Sequence, residues 1–125
     1  MARLKEIVFD ADRPSLLARF WEQVAEGYHV RAYDDAEIAR LASLGLTPET
    51  DPVVMLDGPG PVLCFHKRSG PRPYRNRVHL DLYAPDRPRE VARLLALGAK
   101  MRRTEADYTV LADPEGNQFC ITDRP

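Results

Sequence analysis

Three side chains able to move protons or bind metal ions alternate with apolar residues in one short segment: His79, Asp81 and Tyr83. Successive residues of a β-strand point to opposite faces, so these three share one face, and Val78, Leu80 and Leu82 take the other. An imidazole and a carboxylate on one face can exchange protons with a ligand or bind a cation. The alternation therefore predicts a polar face on a strand over residues 78–83.

The two cysteines, Cys64 and Cys120, each lie between two large apolar residues. The same alternation turns each thiol away from the face that its apolar neighbours occupy. A thiol in such a position is a small hydrophobic side chain, a nucleophile or a ligand for a soft metal ion. Two cysteines in the whole chain argue against a disulfide framework.

The composition of the 125-residue chain is typical of one globular domain, with 44% hydrophobic and 30% charged residues. A formal net charge of −1 gives no general attraction to nucleic acid or to an anionic membrane, so neither is expected as a partner. The apolar runs are too short to cross a bilayer and no secretory signal is visible, which predicts a cytoplasmic protein. The sequence contains no phosphate-binding glycine loop, Ser-His-Asp order or nucleophile elbow.

The sequence repeats itself. Asp12-Arg13-Pro14 recurs as Asp86-Arg87-Pro88, at an offset of 74 residues (86 − 12). Each copy opens a helical pattern, which predicts helices over 14–25 and 88–97. Asp12 and Asp86 are expected to accept hydrogen bonds from the first free backbone N–H groups, with proline in the first turn.

A second match aligns residues 57–65 with 113–121, at an offset of 56 (113 − 57). Both segments read as a turn of Asp, Pro and Gly followed by a strand. The two offsets differ by 18 residues (74 − 56), so the first copy holds an insertion, which is assigned to a short helix at about 35–44 capped by Asp34 or Asp35. The prediction is an α+β domain over 1–125, with module one at 1–66, a linker at 67–77 and module two at 78–125.

Each module is predicted to have the order βαβββ. The strands of module one are placed near 4–9, 28–32, 53–56 and 62–66. Those of module two are placed at 78–83 and near 100–104, 108–112 and 118–122.

Paired βαβββ modules, together with Arg77-Val78-His79-Leu80-Asp81-Leu82 and Asp113-Pro114-Glu115-Gly116-Asn117, resemble the vicinal oxygen chelate superfamily. The resemblance is closest to its glyoxalase-like branch, which includes bleomycin resistance proteins. It implies that the two sheets curl into a cup with the helices outside. It does not imply one activity, because the superfamily hosts isomerases, dioxygenases, transferases and non-catalytic drug binders.

The resemblance also implies where a metal ion would bind, because the family's ligands come from the first and last strand of each module. Those positions are Lys5, Cys64, His79 and Cys120, where Lys5 is obtained by applying the helix offset to His79. Only His79 matches the usual histidine or carboxylate. Lysine is a poor ligand, and the cysteines remove the hard oxygen donors that magnesium or manganese favours. If the first strand is shifted by one residue, Glu6 replaces Lys5.

Three interpretations of this cluster stay open. In the first, both cysteines are core residues and His79 is a hydrogen-bonded histidine. In the second, the pocket holds no metal, and His79 and Lys5 contact a polar ligand. In the third, Cys64, His79 and Cys120 bind zinc and leave a fourth position open.

The favoured function is binding of a small organic molecule in the cup, without the family's standard metal site. Its expected lining comprises Lys5, Cys64, His79, Asp81, Tyr83 and Cys120. One alternative is a metal-dependent lyase, isomerase or dioxygenase, and another is a non-catalytic structural or regulatory subunit. The sequence does not decide whether the protein is an enzyme. The resemblance also allows a homodimer.

Overall fold

A computed structural model of the chain describes Met1 and residues 4–71 and 78–125. The chain divides into two compact units, Met1–Ser69 and Gly70–Pro125. The arginine-rich part of the predicted linker, 72–77, lies outside the described residues.

The first unit folds as a βαβββ module with one extra helix. Its four-stranded sheet has the order β1-β4-β3-β2, in which β1 and β4 are parallel and the other neighbours antiparallel. The elements in chain order are β1 (Glu6–Ala11), α1 (Pro14–Val24), β2 (His29–Val30), α2 (Asp35–Ser43), β3 (Val53–Asp57) and β4 (Val62–Lys67).

The second unit repeats this topology without the extra helix. Its sheet has the order β5-β8-β7-β6, again with the first pair parallel and the rest antiparallel. The elements are β5 (Leu80–Tyr83), α3 (Arg87–Ala96), β6 (Lys100–Thr104), β7 (Tyr108–Ala112) and β8 (Gln118–Thr122). The predicted α+β fold of two βαβββ modules, with an inserted helix in the first, is therefore confirmed.

One face of each sheet is covered by a helix. In the first unit the helix-side core contains an aromatic cluster, in which the Phe9 ring lies 5.2 Å from Trp21 and 5.0 Å from Phe65. In the second unit the corresponding core is built from Leu94 of α3 with Leu111 and Phe119 of the sheet, all three fully buried. The other face of each sheet is termed its open face.

The helix starts differ between the two copies. Asp86 accepts a hydrogen bond from the backbone N–H of Arg89 at 3.2 Å, as predicted. In α1 the N-cap residue is Arg13, whose side chain makes no capping hydrogen bond, and the Asp12 carboxylate accepts from the Arg68 guanidinium at 2.9 Å. The capping role of Asp12 stays a prediction. Asp34 caps α2 by accepting from the Glu37 N–H at 2.8 Å.

The strand register corrects the repeat offset. Val8 pairs with Cys64 in the first sheet and Asp81 pairs with Cys120 in the second, so the first strands are related by 73 residues (81 − 8). The helices are related by 74, because the connector between β5 and α3 is one residue longer than its counterpart.

The counterpart of His79 is therefore Glu6 and not Lys5. Lys5 is exposed and precedes β1, whereas Glu6 is its first residue. The register is fixed by Phe9, which packs under α1 and so turns Glu6 and Val8 to the open face. The prediction from the repeat placed Lys5 there because it carried the helix offset through the connector.

None of the helices in the described part of the chain is long and apolar enough to span a membrane.

Candidate functional site

The open face of the second sheet carries a row of four side chains, one from each strand. Asp81 pairs with Cys120, Cys120 with Val110, and Val110 with Arg103. A groove of about 700 Å³ lies over this row. Concave sites of this size are typical of small-molecule binding.

Most of the groove lining comes from the open face of the sheet, as strand alternation requires. The lining includes His79, Asp81, Tyr83, Arg103, Asp107, Tyr108, Val110, Gln118, Phe119, Cys120, Thr122, Arg124 and Pro125. Four of the predicted site residues, His79, Asp81, Tyr83 and Cys120, are thus brought together in one unit.

Three of these residues form a tight polar group at one side of the groove. The His79 Nε2 atom lies 3.4 Å from Asp81 Oδ1, and both side chains are more than half exposed. The donor atoms of His79, Asp81 and Cys120 all lie within 4.8 Å of one another. Asp81 can therefore orient the imidazole, and the three groups together can contact one ligand atom.

The Cys120 thiol is held in its protonated form. Burial raises the pKa of Cys120, and the neighbouring Asp81 carboxylate raises it further through its charge and a hydrogen bond. The Arg103 guanidinium acts in the opposite direction but does not reverse the shift. Without a metal ion, Cys120 is therefore a thiol at neutral pH and a weak nucleophile.

The chemistry of the three donors fits a borderline metal ion. Imidazole nitrogen, thiolate sulfur and carboxylate oxygen are the three donor types that proteins use for zinc. The thiol makes the set a poor one for magnesium or calcium, which prefer oxygen alone. A bound zinc ion would favour the thiolate form of Cys120 and displace its proton, although the pKa of the free thiol is raised.

Sequence reasoning missed Arg103. A β-bulge between Met101 and Arg103 shifts the register of β6, so that Arg103 and not Arg102 lies opposite Val110. Bulges re-aim side chains near functional sites. Two adjacent arginines in the sequence carry no signal that decides which one faces the groove.

The first unit has an equivalent row with different side chains. Val8 pairs with Cys64, Cys64 with Met55, and the backbone N–H of Arg31 donates to the Met55 carbonyl. Cys64 is only 3% exposed, against the half-buried Cys120. Burial raises the pKa of the Cys64 thiol, and the Glu6 carboxylate adds to the effect.

A second groove of about 740 Å³ lies in the first unit between α2 and β3. Its apolar lining includes Leu41, Leu44 and Met55, and it exists because the first module has the inserted helix. Neither Lys5 nor Cys64 is among its described lining residues. The structure thus places these two predicted site residues apart from both grooves.

A model of the glyoxalase-like domain matches residues 6–122 of the chain, which is nearly its whole length. The chain belongs to the glyoxalase-like domain family. The match covers both modules, including the segments 77–82 and 113–117 that suggested the family from the sequence.

Solved structures of glyoxalase-like proteins share the fold. A glyoxalase/bleomycin resistance protein/dioxygenase family enzyme from Burkholderia phytofirmans is 16% identical, with 96% of this chain and 97% of that chain covered and a TM-score of 0.66. The trypanothione-dependent glyoxalase I of Leishmania major is also 16% identical, with 98% and 87% covered and a TM-score of 0.67. The fosfomycin resistance protein FosX of Mesorhizobium loti is 14% identical, with 100% and 94% covered and a TM-score of 0.69.

At these identities the structural similarity establishes the fold and not the activity. A comparison with curated protein sequences gives no match.

Proposed function

We propose that the groove on the open face of the second module binds a small organic molecule. The observation that carries this proposal is the convergence of His79, Asp81 and Cys120 within 4.8 Å at the side of a groove of about 700 Å³. Polar groups that converge in a concave, partly apolar site are the usual signature of ligand binding.

The side chains of the groove have different roles in binding the ligand. His79 contacts a ligand oxygen, and Asp81 holds the imidazole ring and stabilises it if it takes up a proton. Val110 and the neutral Cys120 thiol give the floor an apolar surface, and Tyr83 and Tyr108 add flat aromatic walls. This arrangement binds without any covalent step.

The relatives support the proposal at the level of fold. The structural neighbours include a trypanothione-dependent glyoxalase I and a fosfomycin resistance protein, both named for small molecules. A shared fold raises the expectation of a small-molecule site but does not name the ligand.

A thermal-shift screen with a fragment library tests this function. The expected result is a set of fragments that raise the melting temperature of the wild-type chain and not that of Asp81→Val. This variant gives the second module the residue that the first has at the equivalent position, and the exposed Asp81 side chain makes it tolerable for folding. Val8→Asp is the matched control and is expected to leave the shifts unchanged. Equal shifts in wild type and Asp81→Val, or no shifts at all, would overturn the proposal.

A second candidate is a metal-dependent lyase, isomerase or dioxygenase, favoured by the donor set of the same three residues. His79, Asp81 and Cys120 would hold one divalent ion, which as a Lewis acid polarises a ligand oxygen when bound. His79 and Asp81 would then serve as ligands instead of as a proton-transfer pair, and Cys120 would be a thiolate.

Calorimetric titration with zinc and with magnesium under reducing conditions distinguishes the two candidates. The metal-dependent class predicts about one zinc per chain, no magnesium uptake and loss of zinc binding in His79→Ala and Cys120→Ser. Cys64→Ser is the matched control and is expected to bind zinc as the wild type does. Zinc uptake that is absent, or equal in all variants, would exclude this class and leave the metal-free site.

A further inference from the structure

We propose that the groove takes a small organic carboxylate and that Arg103 binds its anionic group. This inference rests on the proposed function, because it names the ligand class of the same site.

The position of Arg103 is the result of the β-bulge in β6. Continuous pairing from Met101 opposite Leu111 would place Arg102 opposite Val110, but the bulge places Arg103 there. The guanidinium thereby joins the row that leads across Val110 to Cys120. It is close enough to Cys120 to oppose the rise in the pKa of that thiol.

Arg103 is a cation of the groove lining whose ion-pair partner is not part of that lining. The described lining contains five acidic, basic or histidine side chains: His79, Asp81, Arg103, Asp107 and Arg124. Two pairs form within this set, since His79 lies 3.4 Å from Asp81, and Arg124 lies 3.0 Å from Asp107.

Arg103 is paired instead with Glu105, which is not part of that lining. This ion pair joins Arg103 Nε to a Glu105 oxygen at 3.2 Å, and Tyr108 of the groove lining is close enough to raise the pKa of Arg103. The Arg103 side chain is still 59% exposed. A fixed, accessible guanidinium is suited to carboxylate recognition, because its planar N–H groups match the two carboxylate oxygens.

The counterpart of Arg103 in the first module is Arg31, whose guanidinium is fully engaged in contacts with its neighbours. Arg31 donates to both Asp57 oxygens, from Nε at 2.8 Å and Nη2 at 2.7 Å, and its Nη1 contacts the Met55 sulfur at 3.0 Å. These contacts engage all three of its nitrogens. The carboxylate of Glu105 meets Arg103 through one oxygen at Nε, with Tyr108 as a further neighbour, whereas Asp57 meets Arg31 through both of its oxygens. Arg103 therefore has N–H groups left for a second carboxylate, and Arg31 does not.

The test uses matched carboxylate and amide probes of two sizes: lactate with lactamide, and mandelate with mandelamide. Binding to the whole chain is followed by two-dimensional NMR of the backbone amides. The expected result is binding of at least one carboxylate, shifting amides of β7 and β8, and about tenfold weaker binding of its amide partner.

Arg103→Gln is expected to weaken carboxylate binding about tenfold and to leave the amide unchanged, whereas Arg103→Lys retains part of the affinity. Arg31→Gln is the matched control and has no effect. If neither carboxylate binds, or if carboxylate and amide bind equally in wild type and Arg103→Gln, the ligand class is wrong. The fragment screen with Asp81→Val decides separately whether the groove is a site at all.

Discussion

The two modules share one topology but use their open faces differently. At equivalent positions the first sheet has Glu6, Val8 and a nearly inaccessible Cys64, whereas the second has His79, Asp81 and a more accessible Cys120. Val8 pairs with Cys64 as Asp81 pairs with Cys120, so at these positions the contrast arises from side chains and not from fold. Both modules thus keep a packed helix-side core, and a cluster of histidine, carboxylate and thiol is found in the second.

The turns before the last strands differ in the same way. Asp113 is buried, and its carboxylate accepts from the backbone N–H groups of Glu115 and Asn117 and from the Asn117 side chain, at 2.8–2.9 Å. Its repeat counterpart Asp57 is half exposed and pairs with Arg31. The turn at Asp113 is stabilised by hydrogen bonds among its own residues. The turn at Asp57 is stabilised by an ion pair to Arg31 on a neighbouring segment.

The largest expected effect is on the helix-side core. Phe65→Ala removes a fully buried ring that stacks on Phe9, and we expect a loss of about 3–5 kcal/mol in the free energy of unfolding. Ile121→Val at the equivalent position of the second module should cost only about 1 kcal/mol. Urea denaturation of both variants checks this, and equal losses would refute the assignment of Phe65 to a cluster under α1.

The two turns give the next contrast. Asp113→Ala leaves buried N–H donors without their acceptor and should cost about 3 kcal/mol. Asp57→Ala removes a half-exposed ion pair and should cost less than about 1 kcal/mol. Chemical denaturation with circular dichroism measures both, and a larger loss for Asp57→Ala would contradict the description of the turns.

The fold could be predicted from the sequence more fully than the site. The repeat of Asp12-Arg13-Pro14 and the alternation at 78–83 can both be read directly from the order of residues in the chain. They therefore predict the helices and strands without knowledge of the tertiary structure. The assignment of Lys5 failed because a single extra residue in one connector changes the register of a strand. Arg103 could not be found because a bulge is a tertiary feature without a residue signature here.

The two cysteines should differ in reactivity by about tenfold or more. Cys64 is 3% exposed, so iodoacetamide can reach its thiol only when the surrounding structure opens locally. Cys120 is more accessible and should therefore be modified first at pH 7.5. Asp81→Asn should accelerate modification of Cys120, because removing the carboxylate charge lowers the raised pKa of the thiol. Peptide mass spectrometry follows each site. Faster modification of Cys64, or slower modification of Cys120 in Asp81→Asn, would contradict the electrostatics described.

The smallest expected effect concerns the ion pair of the first module. The hydrogen bond from Arg31 lowers the pKa of Asp57, so the pair stabilises the fold above the unfolded-state pKa of that carboxyl, and the contribution is lost as the pH falls through the lowered folded-state pKa. Both side chains are half exposed, which limits the effect to about 0.5 kcal/mol. Arg31→Gln should therefore be less stable than wild type at neutral pH and equal to it near pH 2. A deficit that persists in acid would show that packing, and not charge, is responsible.

The most direct test of the central claim is to map by NMR where the fragments that stabilise the chain bind. We predict that amide shifts concentrate on β5, β7 and β8 around His79, Asp81 and Cys120, and that they disappear in Asp81→Val while Val8→Asp retains them. Shifts that concentrate instead on the first module, in the groove between α2 and β3, would contradict the account and make the other copy the binding site.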